Sequence, residues 1–111
     1  MTKISNKLIR DGKVAVLYST GYGAGWYTWN TEYGTDLLFD SGIVDLVLAR
    51  QAGQLPTELE AYITLKYPNA YLGGVRDLEV RWVPVGTKFR IDEYDGSESI
   101  VLFDEDDWVT A

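Results

Sequence analysis

Carboxylates are the side chains of this chain best placed to do chemistry, because the sequence contains neither histidine nor cysteine. That absence excludes disulfides, thiolate nucleophiles, Cys/His zinc sites and every catalytic triad built on imidazole. Two carboxylate pairs, Asp92 with Glu93 and Glu58 with Glu60, have the residue types for hydrolysis, in which two carboxyl groups flank the bond at about 5 to 10 Å. Such pairs are common in globular proteins, and no pocket motif accompanies them. The sequence therefore favours a non-enzymatic protein with no catalytic residue and no cofactor.

The densest run of carboxylates lies near the C-terminus. Its oxygens have the chemistry to bind Ca²⁺ or Mg²⁺, but the run lacks the D-x-[DN]-x-[DN]-G spacing of a calcium loop, so we expect no metal site. Two interpretations remain: a solvated turn that maintains solubility, or an acidic face presented to a basic partner. The candidate residues of that face are Asp92, Glu93, Asp104, Glu105, Asp106 and Asp107.

A second unusual segment is Thr20–Asn30, in which three glycines alternate with four large aromatic residues. Its spacing fits neither the G-x-G-x-x-G fingerprint nor the P-loop, so a phosphate-binding loop is disfavoured. The aromatic side chains either fill the core of a compact loop or stay exposed as binding anchors. If the loop forms a cage for a nucleotide-like or other planar molecule, the candidate residues are Tyr22, Trp26, Tyr27, Trp29, Arg76 and Arg81.

The first half of the chain predicts one strand and two helices. Lys13–Ser19 is short and apolar, as buried strands are, and Asp36–Asp40 predicts a brief strand or a 3₁₀ turn. Ser41–Gln51 shows helical spacing, with Asp40 or Ser41 as its cap. A second helix is predicted over residues 57–67, ended by Pro68, although the second half of this segment also has strand propensity.

The last third of the chain predicts strands. Residues 77–83 and 89–94 alternate apolar and polar side chains, as half-buried antiparallel strands do. Asp95-Gly96 is the dipeptide of a type I′ turn and joins the second of these strands to Ser99–Phe103. The sequence thus predicts a single α+β domain over residues 1–111. Its antiparallel sheet would combine this three-stranded meander with the N-terminal strand, and two helices would pack on one face.

Composition further narrows the class of protein to which this chain can belong. The chain has 111 residues, 46% of them hydrophobic, which suits one globular domain. Its longest apolar runs are far shorter than the roughly 20 residues that span a bilayer, and the N-terminal residues lack the apolar stretch of a signal peptide. We therefore expect a cytoplasmic protein that does not enter the membrane.

The net charge is −7, from ten basic and seventeen acidic residues. The electrostatic field of this negative charge repels the phosphate backbone of nucleic acids, so direct nucleic-acid binding is disfavoured, whereas a basic protein is a favourable partner. The sequence does not indicate an oligomeric state.

Two segments, GYGAGW at residues 21–26 and EYDGSESI at residues 93–100, resemble parts of uncharacterised small proteins of phage-type genomes. The group has no established activity, so the resemblance implies no site residues. It implies a mobile-element accessory protein that works by binding. Two functions follow as predictions: an inhibitor that binds a basic, nucleic-acid-handling host protein through an acidic face, or a small-ligand domain that uses the loop of residues 20–30.

Overall fold

The computed structural model describes residues 7–50 and 57–102, and the α+β class predicted from the sequence is confirmed. Within these two ranges the strands are β1 (Ile9–Arg10), β2 (Lys13–Ser19), β3 (Leu78–Pro84), β4 (Phe89–Tyr94) and β5 (Ser97–Leu102). The helices of the same ranges are α1 (Asp36–Phe39), α2 (Ser41–Ala49) and α3 (Thr57–Lys66). Single 3₁₀ turns occupy Tyr27–Trp29, Thr31–Tyr33 and Val75–Asp77.

The strands form two antiparallel sheets, β1-β2-β3 and β4-β5, and this corrects the predicted meander. β3 pairs with β2, so that Val14 lies opposite Val83, and it does not pair with β4. The cause lies just after β3. The amide of Val85 donates to the carbonyl of Gly12 at 2.9 Å, and Gly86, at φ +87°, redirects the chain. β4 and β5 therefore leave the first sheet and pair with each other.

β2 is the centre of the molecule because both of its faces are buried. Successive strand residues point to opposite faces, so Ala15 and Leu17 join one apolar cluster while Val14 and Val16 join another. The first cluster contains side chains of α2 and α3, and the second contains Ile100 of the β4–β5 hairpin. The molecule therefore has three layers: helices, the three-stranded sheet and the hairpin.

The helices match the sequence pattern except at α1. Asp36–Phe39 is a short α-helix, not the predicted strand or 3₁₀ turn, since the amide of Asp40 donates to the carbonyl of Asp36 at 3.0 Å and closes an α-helical turn. Its two adjacent leucines enter different clusters, Leu37 on the helical side and Leu38 on the hairpin side. Asp40 caps α2 as predicted, since its Oδ1 accepts from the amide of Ile43 at 3.0 Å. α2 ends at Ala49, two residues before the predicted end.

The predicted turn at Asp95-Gly96 is confirmed, with φ of +50° and +87°. A second Asp-Gly pair, Asp11-Gly12, forms the same kind of turn between β1 and β2, with φ of +51° and +75°. The surroundings of the two glycines differ. A Cβ built on Gly12 would meet nothing within 4 Å, whereas a Cβ on Gly96 would collide with the main chain of Ala24, 2.9 Å from its Cα.

This difference gives a matched pair of substitutions. Gly12→Ala should lower the free energy of unfolding by about 1 to 2 kcal/mol, the cost of a left-handed alanine. Gly96→Ala carries the same strain and the collision as well, so the loss should exceed about 3 kcal/mol. Urea unfolding of both variants checks this. Equal losses would mean that the loop does not pack on the hairpin turn.

Candidate functional site

A buried carboxylate joins the glycine-rich loop to the hairpin. Glu98 is 2% exposed, and its carboxylate accepts four hydrogen bonds. Its Oε1 accepts from the amide of Ser19 at 2.9 Å. Its Oε2 accepts from the amides of Trp26 and Thr28, each at 2.9 Å, and from the hydroxyl of Thr28 at 2.6 Å. All four donors are neutral groups, and each lies at least 70 residues from Glu98 in the sequence.

Strand alternation places Glu98 at this point. It shares the inner face of β5 with Ile100, and its partner across the hairpin is Glu93. β2 ends opposite this position, and the loop that follows has no strand neighbour for its amides. Because a buried amide without an acceptor costs about 1 to 3 kcal/mol, the carboxylate stabilises a loop conformation that main-chain pairing alone would not.

The loop glycines allow close packing on the hairpin. Gly23 has φ +89°, and its amide donates to the carbonyl of Asp95 at 2.5 Å. A Cβ on Gly25 would lie 3.0 Å from the carbonyl oxygen of Gly96 and closer still to the side chains of Thr28 and Trp29. The loop and the hairpin turn therefore form one continuous surface.

The aromatic residues of the loop divide between core and surface, so each of the two sequence interpretations holds for part of them. Trp26 is fully buried, and its Nε1 donates to the carbonyl of Leu37 at 2.8 Å. Tyr27 is half-buried and packs against both apolar clusters. Tyr22 and Trp29 are 74% and 41% exposed. Trp26 is therefore a core residue, whereas Tyr22 and Trp29 are exposed at the surface.

Two further exposed aromatic residues lie beside this loop. Tyr71, from the segment between α3 and β3, stacks on Trp29 with ring centroids 5.5 Å apart. Tyr94 is 78% exposed and precedes Asp95, whose carbonyl binds the residue after Tyr22. We call this the aromatic–acidic surface; it consists of Trp29, Tyr71 and Glu93, which contact one another, together with the exposed residues Tyr22, Tyr94 and Asp95 at the neighbouring hairpin turn.

A buried asparagine fixes the stacked pair. Asn30 is 1% exposed, and its Oδ1 accepts from the amide of Tyr71 at 2.6 Å. Its Nδ2 donates to the carbonyls of Trp26 at 2.9 Å and Tyr71 at 3.2 Å. On the outer side, Nε1 of Trp29 donates to Oε2 of Glu93 at 3.4 Å. The two rings are thus held from below by the core and from the side by the hairpin.

The predicted acidic face is only partly described. Glu93 lies in the aromatic–acidic surface, and Asp92 pairs with Arg90, with Oδ1 and Nε 2.9 Å apart. Adjacent strand residues point to opposite faces, so Asp92 and Glu93 do not face a common point. Glu58 and Glu60 lie two residues apart on α3, about 200° around the helix. The other four acidic candidates, Asp104, Glu105, Asp106 and Asp107, lie outside the described residues.

The two candidate arginines lie at different places. Arg81 donates from its guanidinium to the carbonyl of Ile100 at 3.1 Å and so links β3 to β5. Arg76 is exposed, and it precedes Asp77, whose carbonyl accepts from the amide of Thr20 at 3.1 Å. The structure therefore places Arg76 near the start of the loop and gives Arg81 a role in joining the two sheets.

A second buried carboxylate, Asp40, stabilises the helical layer. Besides capping α2, it accepts from the hydroxyls of Tyr67 at 2.7 Å and Tyr62 at 3.0 Å, and it lies 2.8 Å from Nζ of Lys66. Burial alone would raise the pKa of Asp40, but the hydrogen bonds from Lys66, Tyr67, the Ile43 amide and Tyr62 together lower the pKa below its ordinary value. Burial and the bond to Asp40 raise the pKa of Tyr67, which stays a donor.

The first prediction at this site concerns Glu98. In Glu98→Gln the side-chain amide must turn its NH₂ group toward at least one main-chain donor, so we expect a loss of about 2 to 4 kcal/mol in the free energy of unfolding. Glu79→Gln removes the same charge from an exposed position and should change the free energy of unfolding by less than about 0.5 kcal/mol. Equal effects in urea unfolding would show that the carboxylate is not a structural link.

The second prediction concerns Asp40 and pH. Because its folded pKa is lowered, Asp40 stabilises the fold fully above its unfolded pKa of about 3.9, and this contribution is lost as pH falls through the folded pKa. Asp40→Asn should therefore be less stable than wild type by about 2 to 3 kcal/mol at pH 6, and the gap should shrink below about pH 4. Unfolding measured from pH 3 to 7 checks this; a gap independent of pH would contradict the network.

The chain matches no protein-family model, no curated protein sequence and no solved structure. Among the helices within residues 7–50 and 57–102, none has the length and hydropathy needed to cross a membrane. Over the same residues, no three acidic side chains come together as metal ligands would.

Proposed function

We propose that this chain is a non-enzymatic interaction protein that binds a basic partner protein through the aromatic–acidic surface. The observation that carries the proposal is the stacked pair of Trp29 and Tyr71, held beside Glu93, with further exposed aromatic residues at the adjoining hairpin turn. Tyr22 and Trp29 come from the loop, Tyr71 from the segment before β3, and Tyr94 from β4. Tyrosine and tryptophan are the residues that most often dominate the binding energy of protein interfaces.

The rings meet the partner with little loss of conformational freedom. Trp29 stacks on Tyr71, and Asn30 binds the main chain of Tyr71 from the buried side. Glu98 holds the loop that carries Tyr22 and Trp29. An interface gains affinity when its side chains are already in place, so binding through these rings costs less conformational entropy than binding through mobile exposed side chains.

The charge of the surface favours a basic partner. Glu93 accepts a hydrogen bond from Trp29, Asp95 is an exposed residue of the hairpin turn, and the whole chain carries a net charge of −7. Complementary charge speeds association, while the same charge repels nucleic acid. A host protein with a basic, nucleic-acid-binding groove fits these properties, and the chain would then act in the cytoplasm as an inhibitor that competes with phosphate backbones. The four acidic residues 104–107 would add to this attraction.

The alternative function, a planar ligand held in a cage by the loop of residues 20–30, has weaker support. Trp26 is buried and donates to a main-chain carbonyl, so it offers no face to a ligand. Arg81 is bound to the carbonyl of Ile100.

Site-specific crosslinking tests the proposal. A photoreactive benzophenone amino acid replaces Tyr94 in one protein and Leu65 in another; Leu65 is 87% exposed on α3 and serves as the matched control. After irradiation in host-cell lysate, the position 94 protein should capture a basic protein that the position 65 protein does not. Capture of the same proteins from both positions, or capture of acidic proteins only, would contradict the proposal.

Affinity for the captured partner should depend on the rings and on salt. Trp29→Ala should weaken binding at least tenfold, with Tyr71→Ala as the second variant and Leu65→Ala as the control without effect. Neutralising Asp104, Glu105, Asp106 and Asp107 together should slow association, and added salt should bring wild type toward that variant. Binding that is indifferent to Trp29, Tyr71 and salt would overturn the proposed surface.

A further inference from the structure

A separate cleft lies between α1 and the start of β4, at the end of the hairpin that is far from its turn. Its volume is about 630 Å³, within the range of small-molecule sites. The floor is apolar and is formed by Tyr27, Leu38, Phe39, Phe89 and Ile91. None of these residues belongs to the aromatic–acidic surface, so the cleft is an independent feature.

The floor is suited to a flat apolar body. Phe39 and Phe89 meet edge to face, with ring centroids 6.1 Å apart and planes at 84°. Both rings are only half-buried, so part of each faces the cleft. A planar group can therefore stack on one ring while it contacts the edge of the other, the two arrangements that aromatic pairs prefer.

The rim carries positive charge, which is unusual in a chain with seventeen acidic and ten basic residues. Lys88, which immediately precedes β4, and Arg90 of β4 line the cleft. Nζ of Lys7 lies 4.6 Å from the centroid of the Phe39 ring. Nε of Arg90 also lies 2.9 Å from Oδ1 of Asp92, which compensates part of the charge of Arg90. Three of the ten basic residues of the chain thus gather around one apolar floor.

We propose that this cleft binds a small organic anion with a planar aromatic body, such as an aromatic carboxylate, sulfonate or phosphate ester. The flat body lies on the floor that Phe39 and Phe89 form, and the anionic group meets Lys88 at the rim. Thr35 and Thr87 also line the cleft and supply hydroxyl donors for the anion. This site does not depend on the proposed protein partner, and either proposal can fail without the other.

Two fluorescent probes that differ in charge test the site on the full chain. The anion 8-anilinonaphthalene-1-sulfonate has the planar body and one anionic group, whereas N-phenyl-1-naphthylamine lacks the sulfonate. Wild type should bind the sulfonate with a saturable one-to-one isotherm. Lys88→Gln should weaken this binding about tenfold and change binding of the neutral probe less than twofold. Arg76→Gln removes the same charge from an exposed position away from the cleft and should affect neither probe.

Amide chemical shifts of wild type during the sulfonate titration locate the probe. The shifts should concentrate at residues 35–39 and 87–91, and the melting temperature should rise with probe concentration. Equal weakening by Lys88→Gln and Arg76→Gln would reduce the effect to overall charge. Shifts elsewhere, or probe binding that increases as the protein unfolds, would overturn the proposed site.

Discussion

The structure depends most on the carboxylate of Glu98, which the fold buries between the glycine-rich loop and the hairpin. Burying a carboxylate is costly unless hydrogen bonds replace the lost water. Here the amides of Ser19, Trp26 and Thr28 and the hydroxyl of Thr28 replace it. The constraint acts in both directions, since the loop needs an acceptor for its amides and the carboxylate needs donors. The end of β2, the loop and β5 are therefore fixed relative to one another by a single side chain.

Buried polar side chains form hydrogen bonds in the same way at other places where the backbone is irregular. Asn30 forms hydrogen bonds with the main chain of Trp26 and Tyr71. Asp40 caps α2 and also accepts from the hydroxyls of Tyr62 on α3 and of Tyr67 just after it. Each buried polar side chain replaces pairing that a strand or helix would otherwise supply. Trp29 and Tyr71 are thereby presented at the surface on a rigid support. The apolar clusters on the two faces of β2 stabilise the layers, and the buried polar groups determine the shape of the surface.

Local sequence patterns predicted the local structure well, and the long-range contacts less well. Alternation predicted the strands, Asp95-Gly96 predicted the hairpin turn, and Asp40 was one of the two predicted caps of α2, because each of these signals lies within a few residues. The sequence left the place of the N-terminal strand in the sheet open, because the pairing of β2 with β3 joins residues about 65 apart, and the short spacing of residues 77–83 and 89–94 wrongly suggested that these two strands pair. α1 has only four residues, too few for a helical period to show in the sequence, and a single hydrogen bond from the amide of Asp40 to the carbonyl of Asp36 closes its turn.

Only part of the candidate site could be predicted, again because its members come together through long-range contacts. Tyr22, Trp29 and Glu93 were identified from their types, whereas Tyr71 was not, since only the fold brings it onto Trp29. Glu98 was missed although a signal was present: it alternates with Ile100 and Leu102 and so falls on the apolar face of its strand. A carboxylate at an inward position predicts a buried acceptor, but its donors, 70 to 79 residues away, cannot be read from the sequence.

Hydrogen exchange of individual amides in the wild-type protein tests this account most directly. If Glu98 holds the loop, the amides of Trp26 and Thr28 should exchange as slowly as those of Val16 and Leu17 in the centre of β2, although they belong to no strand. Exchange of the Trp26 and Thr28 amides at the rate of an unprotected peptide, while β2 stays protected, would contradict it.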